Sequence, residues 1–259
     1  MPILSHTPPS LAEDSLGHAL LTSAELIAEV VGGTTLTDAL ARLWAARPAT
    51  PAGVRGAILD LTYGTLRDYG RQDFILGKLL QKPLPEPLQS LLRVALHRLA
   101  VRPDTAHTVV DQAVSAAATQ LGGKFKGVAN GVLRNALRQA GELVQGADAD
   151  MVAEHRHPPW WIRRLKGQYP QKWRAILAAG NSHPPMALRV NPLRASDDEV
   201  LADFAAAGIA VKRLAPGTLR LEQPIPVSRI PGFAEGCVSV QDAGAQHAAR
   251  HLDLADGQR

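Results

Sequence analysis

From Leu16 to about Ala140 the apolar residues recur at helical spacing, and no segment alternates at the period of a strand. That regularity excludes a sheet from the first half of the chain and requires helices packed on helices. "LGHALLTSAELIAEVV" stops at Gly32-Gly33, a natural helix end. "TLTDALARLWAA" opens with a Thr cap and ends before Pro48. "PAGVRGAILDLTYGTLRDYGRQDFILGKLL" reads as one long helix, a break near Gly70, and another helix. "PEPLQSLLRVALHRLA", "TAHTVVDQAVSAAATQLG" and "KFKGVANGVLRNALRQA" complete the set. Residues 1–15 are rich in Pro and Ser and are expected to be disordered; residues 16–145 are expected to form an all-helical domain of six or seven helices.

After Gly146 the pattern changes. "HPPWWIRRLKGQYPQKWRAILAAGNSHPP" gives two short helices split by Pro170, and "MALRVNP" is a strand between prolines. "SDDEVLADFAAAG" is a helix with Ser196 as cap, acids in its first turn and Gly208 as stop. Short strands follow in "IAVKRL", "TLRLE" and "GCVSVQ". Strand, helix, strand, strand over residues 151–235 suggests a small α+β domain of the ferredoxin or RNA-recognition type. In residues 236–259, "GCVSVQ" and the helix read in "DAGAQHAARHL" are expected to open a further domain, and the chain is expected to be incomplete there.

No apolar run approaches the length of a membrane span, and the N-terminus has no basic segment followed by an apolar block, so a cytoplasmic protein without a membrane partner is expected. A single cysteine, Cys237, excludes an internal disulfide framework and a thiolate metal cluster, and its place inside a strand makes it a structural residue. The nine histidines show no metal-ligand spacing, so no metal is expected. Charge is unevenly spread. Residues 1–150 carry 14 Lys+Arg and 14 Asp+Glu, whereas residues 151–259 carry 14 and 10. From His155 to Ser196 there is no acid at all, but there are eight cations: Arg156, Arg163, Arg164, Lys166, Lys172, Arg174, Arg189 and Arg194. A one-signed stretch of this kind favours a polyanionic partner over a neutral one, although a basic solvated face is the plain alternative.

Two constellations are candidates for nucleic-acid contact. Lys126, Asn130, Arg134 and Arg138 are spaced by four, a stripe along one side of a helix, and no acid occurs from Gln112 to Gly141. The alternative is a polar outer face opposite Val128, Val132 and Leu133. The second is "HPPWWIRRLKGQYPQKWR", where basic and aromatic residues interleave as on surfaces that bind single-stranded RNA. There Arg163, Arg164, Lys166 and Lys172 are the candidate contacts, and Trp160 and Trp161 are read as packing. In "LRVN" and the residues that follow it, Arg189, Asn191 and Arg194 are further candidates, with Arg189 and Asn191 on one strand face. Arg189 could equally pair with an acid such as Asp242. Neither a catalytic nor a cofactor-binding residue is assigned.

Six motifs occur in order: "YGTLR" at 63–67, "KGVANGVLR" at 126–134, "HPPWWIRRLKGQYPQKW" at 157–173, "PPMALRVNP" at 184–192, "PIPVSRIPGF" at 224–233 and "VSVQDAGAQ" at 238–246. Together they resemble the bacterial 16S ribosomal RNA (cytosine-5)-methyltransferases of the RsmB type. The resemblance implies a NusB-like helical RNA-binding domain, then a small RNA-recognition-like subdomain, then the first strand and helix of a Rossmann-like methyltransferase domain truncated before its Gly-rich loop. In that family S-adenosylmethionine donates the methyl group and a cysteine attacks the base; Cys237 matches none of the family's catalytic cysteines. The resemblance therefore implies a monomeric module that recognises 16S ribosomal RNA, binds no S-adenosylmethionine by itself and is inactive alone. A NusB-like antitermination module without catalysis is the alternative, disfavoured by the second domain.

Overall fold

The computed structural model describes residues 11–119 and 123–252. They form two compact units, one ending at Asn181 and the other beginning at Ser182. Disorder expected for residues 1–15 falls outside the described residues as far as position 10; Leu11 packs against the helical core and Ser15 caps the first helix.

The first unit is helical throughout its described residues: α1 (Leu16–Val31), α2 (Leu36–Ala46), α3 (Ala52–Arg67), α4 (Tyr69–Leu79), α5 (Glu86–Val101), α6 (Ala106–Thr119), α7 (Lys126–Arg138), α8 (Ala140–Ala149), α9 (Met151–His155), α10 (Pro159–Gln168) and α11 (Trp173–Gly180). Helix starts follow the capping residues. Ser15 Oγ accepts from His18 N at 3.1 Å, Thr35 Oγ1 accepts from Asp38 N at 3.2 Å, and Asp150 accepts from Val152 N and Ala153 N at 2.9 Å. Helices α1 and α5 are the axis of the unit. Leu20, Ala24 and Ile27 of α1 and Leu88, Leu91, Leu92 and Ala95 of α5 are fully enclosed, with α3 and α6 packed on α1. Each such Leu or Ile contributes about 1.5–3 kcal/mol by leaving water, and a helix apolar on most sides is stable only inside such a layer.

Packing, not composition, sets the end of this unit. Gly146 lies inside α8, and α9 packs on α4 and α8, so α9, α10 and α11 extend the helical body beyond the composition shift. Helices α10 and α11 add a small core of their own: Ile162, Leu165, Trp173 and Leu177, with Trp161 half-buried against it.

The second unit contains β1 (Ala187–Val190), α12 (Asp197–Ala206), β2 (Val211–Ala215), β3 (Thr218–Leu221) and β4 (Val238–Val240). The sheet order is β2-β3-β1-β4, with every neighbouring pair antiparallel. Helix α12 thus carries the chain from β1 to a strand that is not its neighbour, the split arrangement of ferredoxin-like folds. Ser196 and Glu199 form a reciprocal capping box at its start. Its Val200 and Phe204 cover Leu188, Val190, Leu219, Leu221 and Val238 on one face of the sheet.

Val238, Ser239 and Val240 pair with Val190, Arg189 and Leu188, so "VSV" is the fourth strand of this sheet. Residues Ala245–His251 are a 3-10 turn rather than an α-helix. Gln246 ties that turn back to the sheet, accepting from Thr218 Oγ1 at 2.7 Å and donating to the carbonyls of Leu188 and Gln241. The Rossmann-like beginning expected over 236–259 is therefore not formed by the described residues, and residues 253–259 lie outside them.

At Gly64 α3 lies close against His97 of α5. A methyl group there would stand 2.3 Å from His97 Nε2. Gly→Ala inside an unobstructed helix stabilises by up to about 1 kcal/mol, but overpacking costs about 1–3 kcal/mol. Gly64→Ala is therefore expected to destabilise by about 1–3 kcal/mol in denaturant titrations, and to be neutral or stabilising in a His97→Ala background. Stabilisation by Gly64→Ala alone would refute this packing.

Candidate nucleic-acid interface

The eight cations of the acid-free window separate into two groups once folded. Arg156 closes α9 with φ +59, a conformation few side chains adopt. Its Nε lies 2.9 Å from Asp68 Oδ1, at the joint between α3 and α4. Gly70, without a Cβ, lets α9 approach there: a methyl would already touch Val152 at 3.3 Å. Lys166 and Arg174 lie over the Trp173 ring, 5.1 and 4.3 Å from its centroid. Arg194 donates to the Glu235 carbonyl at 3.1 Å. The side chains of Arg163, Arg164, Lys172 and Arg189 make no hydrogen bond, ion pair or ring contact among the described residues, and all four are exposed. The free charge of the window is therefore concentrated on α10, at the start of α11 and on β1.

Asp68 collects more than Arg156. It is 8% exposed, accepts from Gln72 Nε2 at 2.5 Å and lies 3.4 Å from His97 Nδ1. Burial pushes this carboxyl up, but the His97 and Gln72 hydrogen bonds, joined by the Arg156 charge, outweigh it and hold it below the ordinary carboxylate range.

The α7 stripe forms as spaced, but much of it is internally engaged. Arg134 Nε donates to Asn130 Oδ1 at 2.9 Å, and Arg138 donates to Asn135 Oδ1 at 2.7 Å, leaving Lys126 exposed and unpaired. Asn130 and Arg134 line a cleft of about 290 Å³ against His107 and Asp111 of α6. The stripe that is acid-free in sequence thus faces an acid in space.

On β1, Arg189 and Asn191 do not act as a pair. Asn191 Nδ2 donates to the Gly236 carbonyl at 3.1 Å and its Oδ1 accepts from Leu193 N at 3.2 Å, so its amide closes the strand end. Arg189 pairs in register with Thr218 and Ser239, on the face away from α12, beside a depression of about 670 Å³ that Gln246 and Gly217 also line. It makes no ion pair with Asp242, which accepts from Ala245 N instead. The register places Lys212 and Arg220 on that same face, through Lys212↔Arg220 and Ala187↔Arg220. Both escape a search for acid-free runs because Asp203 and Glu222 are near in sequence; only strand alternation reveals them. Cys237 is a turn residue, its N donating to the Gly232 carbonyl at 2.8 Å and its own carbonyl accepting from Asn191 N at 2.8 Å. Trp161 packs as expected, but Trp160 does not: it is 59% exposed. Among the described residues no group of three His, Cys, Asp or Glu is placed to hold a metal, and no helix is long and apolar enough to cross a membrane.

Residues 19–138 match the NusB family and residues 157–228 match the ferredoxin-like domain of RsmF/B-like methyltransferases. Ribosomal RNA small subunit methyltransferase B of Pseudomonas putida is 41% identical over 210 residues, and that of Serratia proteamaculans 37% over 210 residues. Over these residues the chain is similar to ribosomal RNA small subunit methyltransferase B. The aligned residues are 79% of this chain but 48% and 49% of those two proteins, so the chain spans about half the length of the curated relatives it matches. The solved structure of PH0851 shares the fold, with a TM-score of 0.64 at 18% identity over 97% of this chain and 58% of that one. The ferredoxin-like match holds the free cations Arg163, Arg164, Lys172 and Arg189, and the NusB match holds Lys126.

The Asp68 cluster has a defined pH signature. Because its folded carboxyl is lowered, its contribution is fully present above the unfolded value of about 4 and is lost as pH falls through the lower folded value. Asp68→Asn is expected to lower stability at pH 7 and to flatten the loss between neutral pH and pH of about 3. Denaturant midpoints across that range measure it, and parallel curves for the two proteins would contradict the assignment.

Proposed function

We propose that this chain is the RNA-recognition portion of an S-adenosylmethionine-dependent 16S ribosomal RNA (cytosine-5)-methyltransferase. It acts as a cytoplasmic monomer that presents the RNA to chemistry carried elsewhere in the enzyme. The observation that supports this most is the set of cations on α10, at the start of α11 and on β1 that have no partner among the described residues, in a stretch without a single acid from His155 to Ser196. Unpaired arginines on rigid elements are suited to phosphate, which accepts two parallel N–H bonds from one guanidinium. Arg163 and Arg164 are the leading contacts, and Lys172, Arg189 and Arg194 are further ones. Lys166 acts through its place on the Trp173 ring, and Lys126 with the Asn130–Arg134 pair forms a weaker second footprint. Asn191 holds the strand end that carries Arg189.

The described residues do not fit S-adenosylmethionine. The sheet is wholly antiparallel, and no described strand is followed by a Gly-rich loop opening a helix, the arrangement that grips such a cofactor. No step of methyl transfer is assigned to these residues, and Cys237 is spent on a turn. An antitermination factor without catalysis is less well supported, because the NusB match leaves the ferredoxin-like match unexplained.

Each phosphate contact removed reduces the slope of log affinity against log salt by about 0.7–0.9. Arg163→Ala/Arg164→Ala is therefore expected to bind a 16S ribosomal RNA fragment more weakly, with a slope lower by about 1.4–1.8 if both residues touch phosphate. Arg189→Ala is expected to reduce it by about half as much. Unchanged affinity and slope in the double variant would reduce the basic window to a solvated face.

A further inference from the structure

Of the four tryptophans, Trp44 and Trp161 are half-buried against hydrophobic cores and Trp173 is 6% exposed, whereas Trp160 stands 59% exposed. Its position is fixed. Pro158 precedes α10 and Pro159 is its first residue, so the helix start is pre-set and Trp160 falls on the first turn. Trp161 is anchored against the α10–α11 core and meets Trp160 at an inclined angle, ring centroids 5.6 Å apart at 62°. An inclined contact leaves at least one face of the indole bare. Arg163 and Arg164 lie three and four residues on, on the same side of the helix, and both are exposed and unpaired. One turn further along the same side stands Gly167, which adds no side chain there.

We infer that Trp160 is a stacking platform for an unpaired RNA base, with Arg163 and Arg164 holding the flanking phosphates. This deepens the reading of α10 given above and rests on it. The chemistry is that of single-strand binding, in which a π-face takes the base and adjoining cations take the backbone. The surroundings favour RNA over an apolar protein partner. The neighbours are two guanidiniums in a stretch with no acid, a one-signed field that draws a polyanion. A base within a duplex offers no free face, so the site would discriminate unpaired from paired RNA.

The test uses the chain as it stands, a single-stranded RNA oligonucleotide and a duplex of the same length. Trp160→Ala should weaken single-strand binding by roughly tenfold, the order of one stacked base, and leave the salt slope unchanged because the indole carries no charge. Duplex affinity should stay within about twofold, Trp160→Phe should retain most single-strand affinity, and quenching of tryptophan fluorescence by the single strand should fall in Trp160→Phe. Equal loss on both RNAs, or no loss on the single strand, would overturn the inference. So would a concentration-dependent oligomer abolished by Trp160→Ala, which would assign the ring to protein contact. Arg163→Ala/Arg164→Ala in the same series separates the two readings. If it loses affinity and slope while Trp160→Ala changes nothing, only the platform fails; if neither variant changes binding, the RNA reading of α10 fails with it.

Discussion

A buried carboxylate at the α3–α4 joint holds the helical unit to its working shape. Asp68 takes the Gln72 amide, the His97 ring and the Arg156 guanidinium, and those partners come from α4, α5 and the end of α9. Breaking such a cluster costs more than any single bond in it, because the remaining groups are left buried without partners. The left-handed backbone at Arg156 is tolerated because its side chain is held by this carboxylate. Arg156 leads directly into His157, Pro158 and Pro159, so the direction in which α10 leaves the bundle is set by the Asp68 cluster.

That arrangement also decides which charges remain free. Several other acids of the helical unit are taken up locally. Asp73 and Glu86 hold the buried Arg93 at 2.8 and 2.7 Å, and Asp148 holds Arg71 at 2.7 Å. Arg156 is removed from the basic window by Asp68. Arg163 and Arg164 have no acid within their own stretch and make no ion pair among the described residues, which leaves their field free for a polyanion. In the second unit Arg213 is neutralised by Asp197 and Asp198 at the start of α12, while Arg189, Arg220 and Lys212 remain on the opposite face of the sheet.

Most helices were legible because they carry their own punctuation: Thr35 and Ser196 as caps, Pro48 and Pro170 as breaks, whereas the Ser15 cap falls in a segment read as disordered and α8 carries no such signal. The four strands were legible for the same reason. What the sequence could not convey was pairing. Nothing local says that "VSV" lies beside "LRV", because register is a long-range property settled by the face that α12 covers. Side-chain partners were equally hidden. Asn191 read as a free amide until Gly236 and Leu193 were brought to it, and Asn130 read as a contact until Arg134 occupied it. Trp160 was misread by probability: adjacent tryptophans point in different directions, and the pattern could not say which one the small α10–α11 core accepts.

The central claim is that RNA lies along α10, where free guanidiniums flank an exposed indole. Photochemical crosslinking of a 16S ribosomal RNA fragment to the intact chain, with crosslinked peptides mapped by mass spectrometry, tests this most directly. The account predicts that the dominant crosslink falls within residues 158–172, with weaker ones on β1 and α7. Dominant crosslinks on the outer faces of α2 or α3, with none on α10, would contradict it.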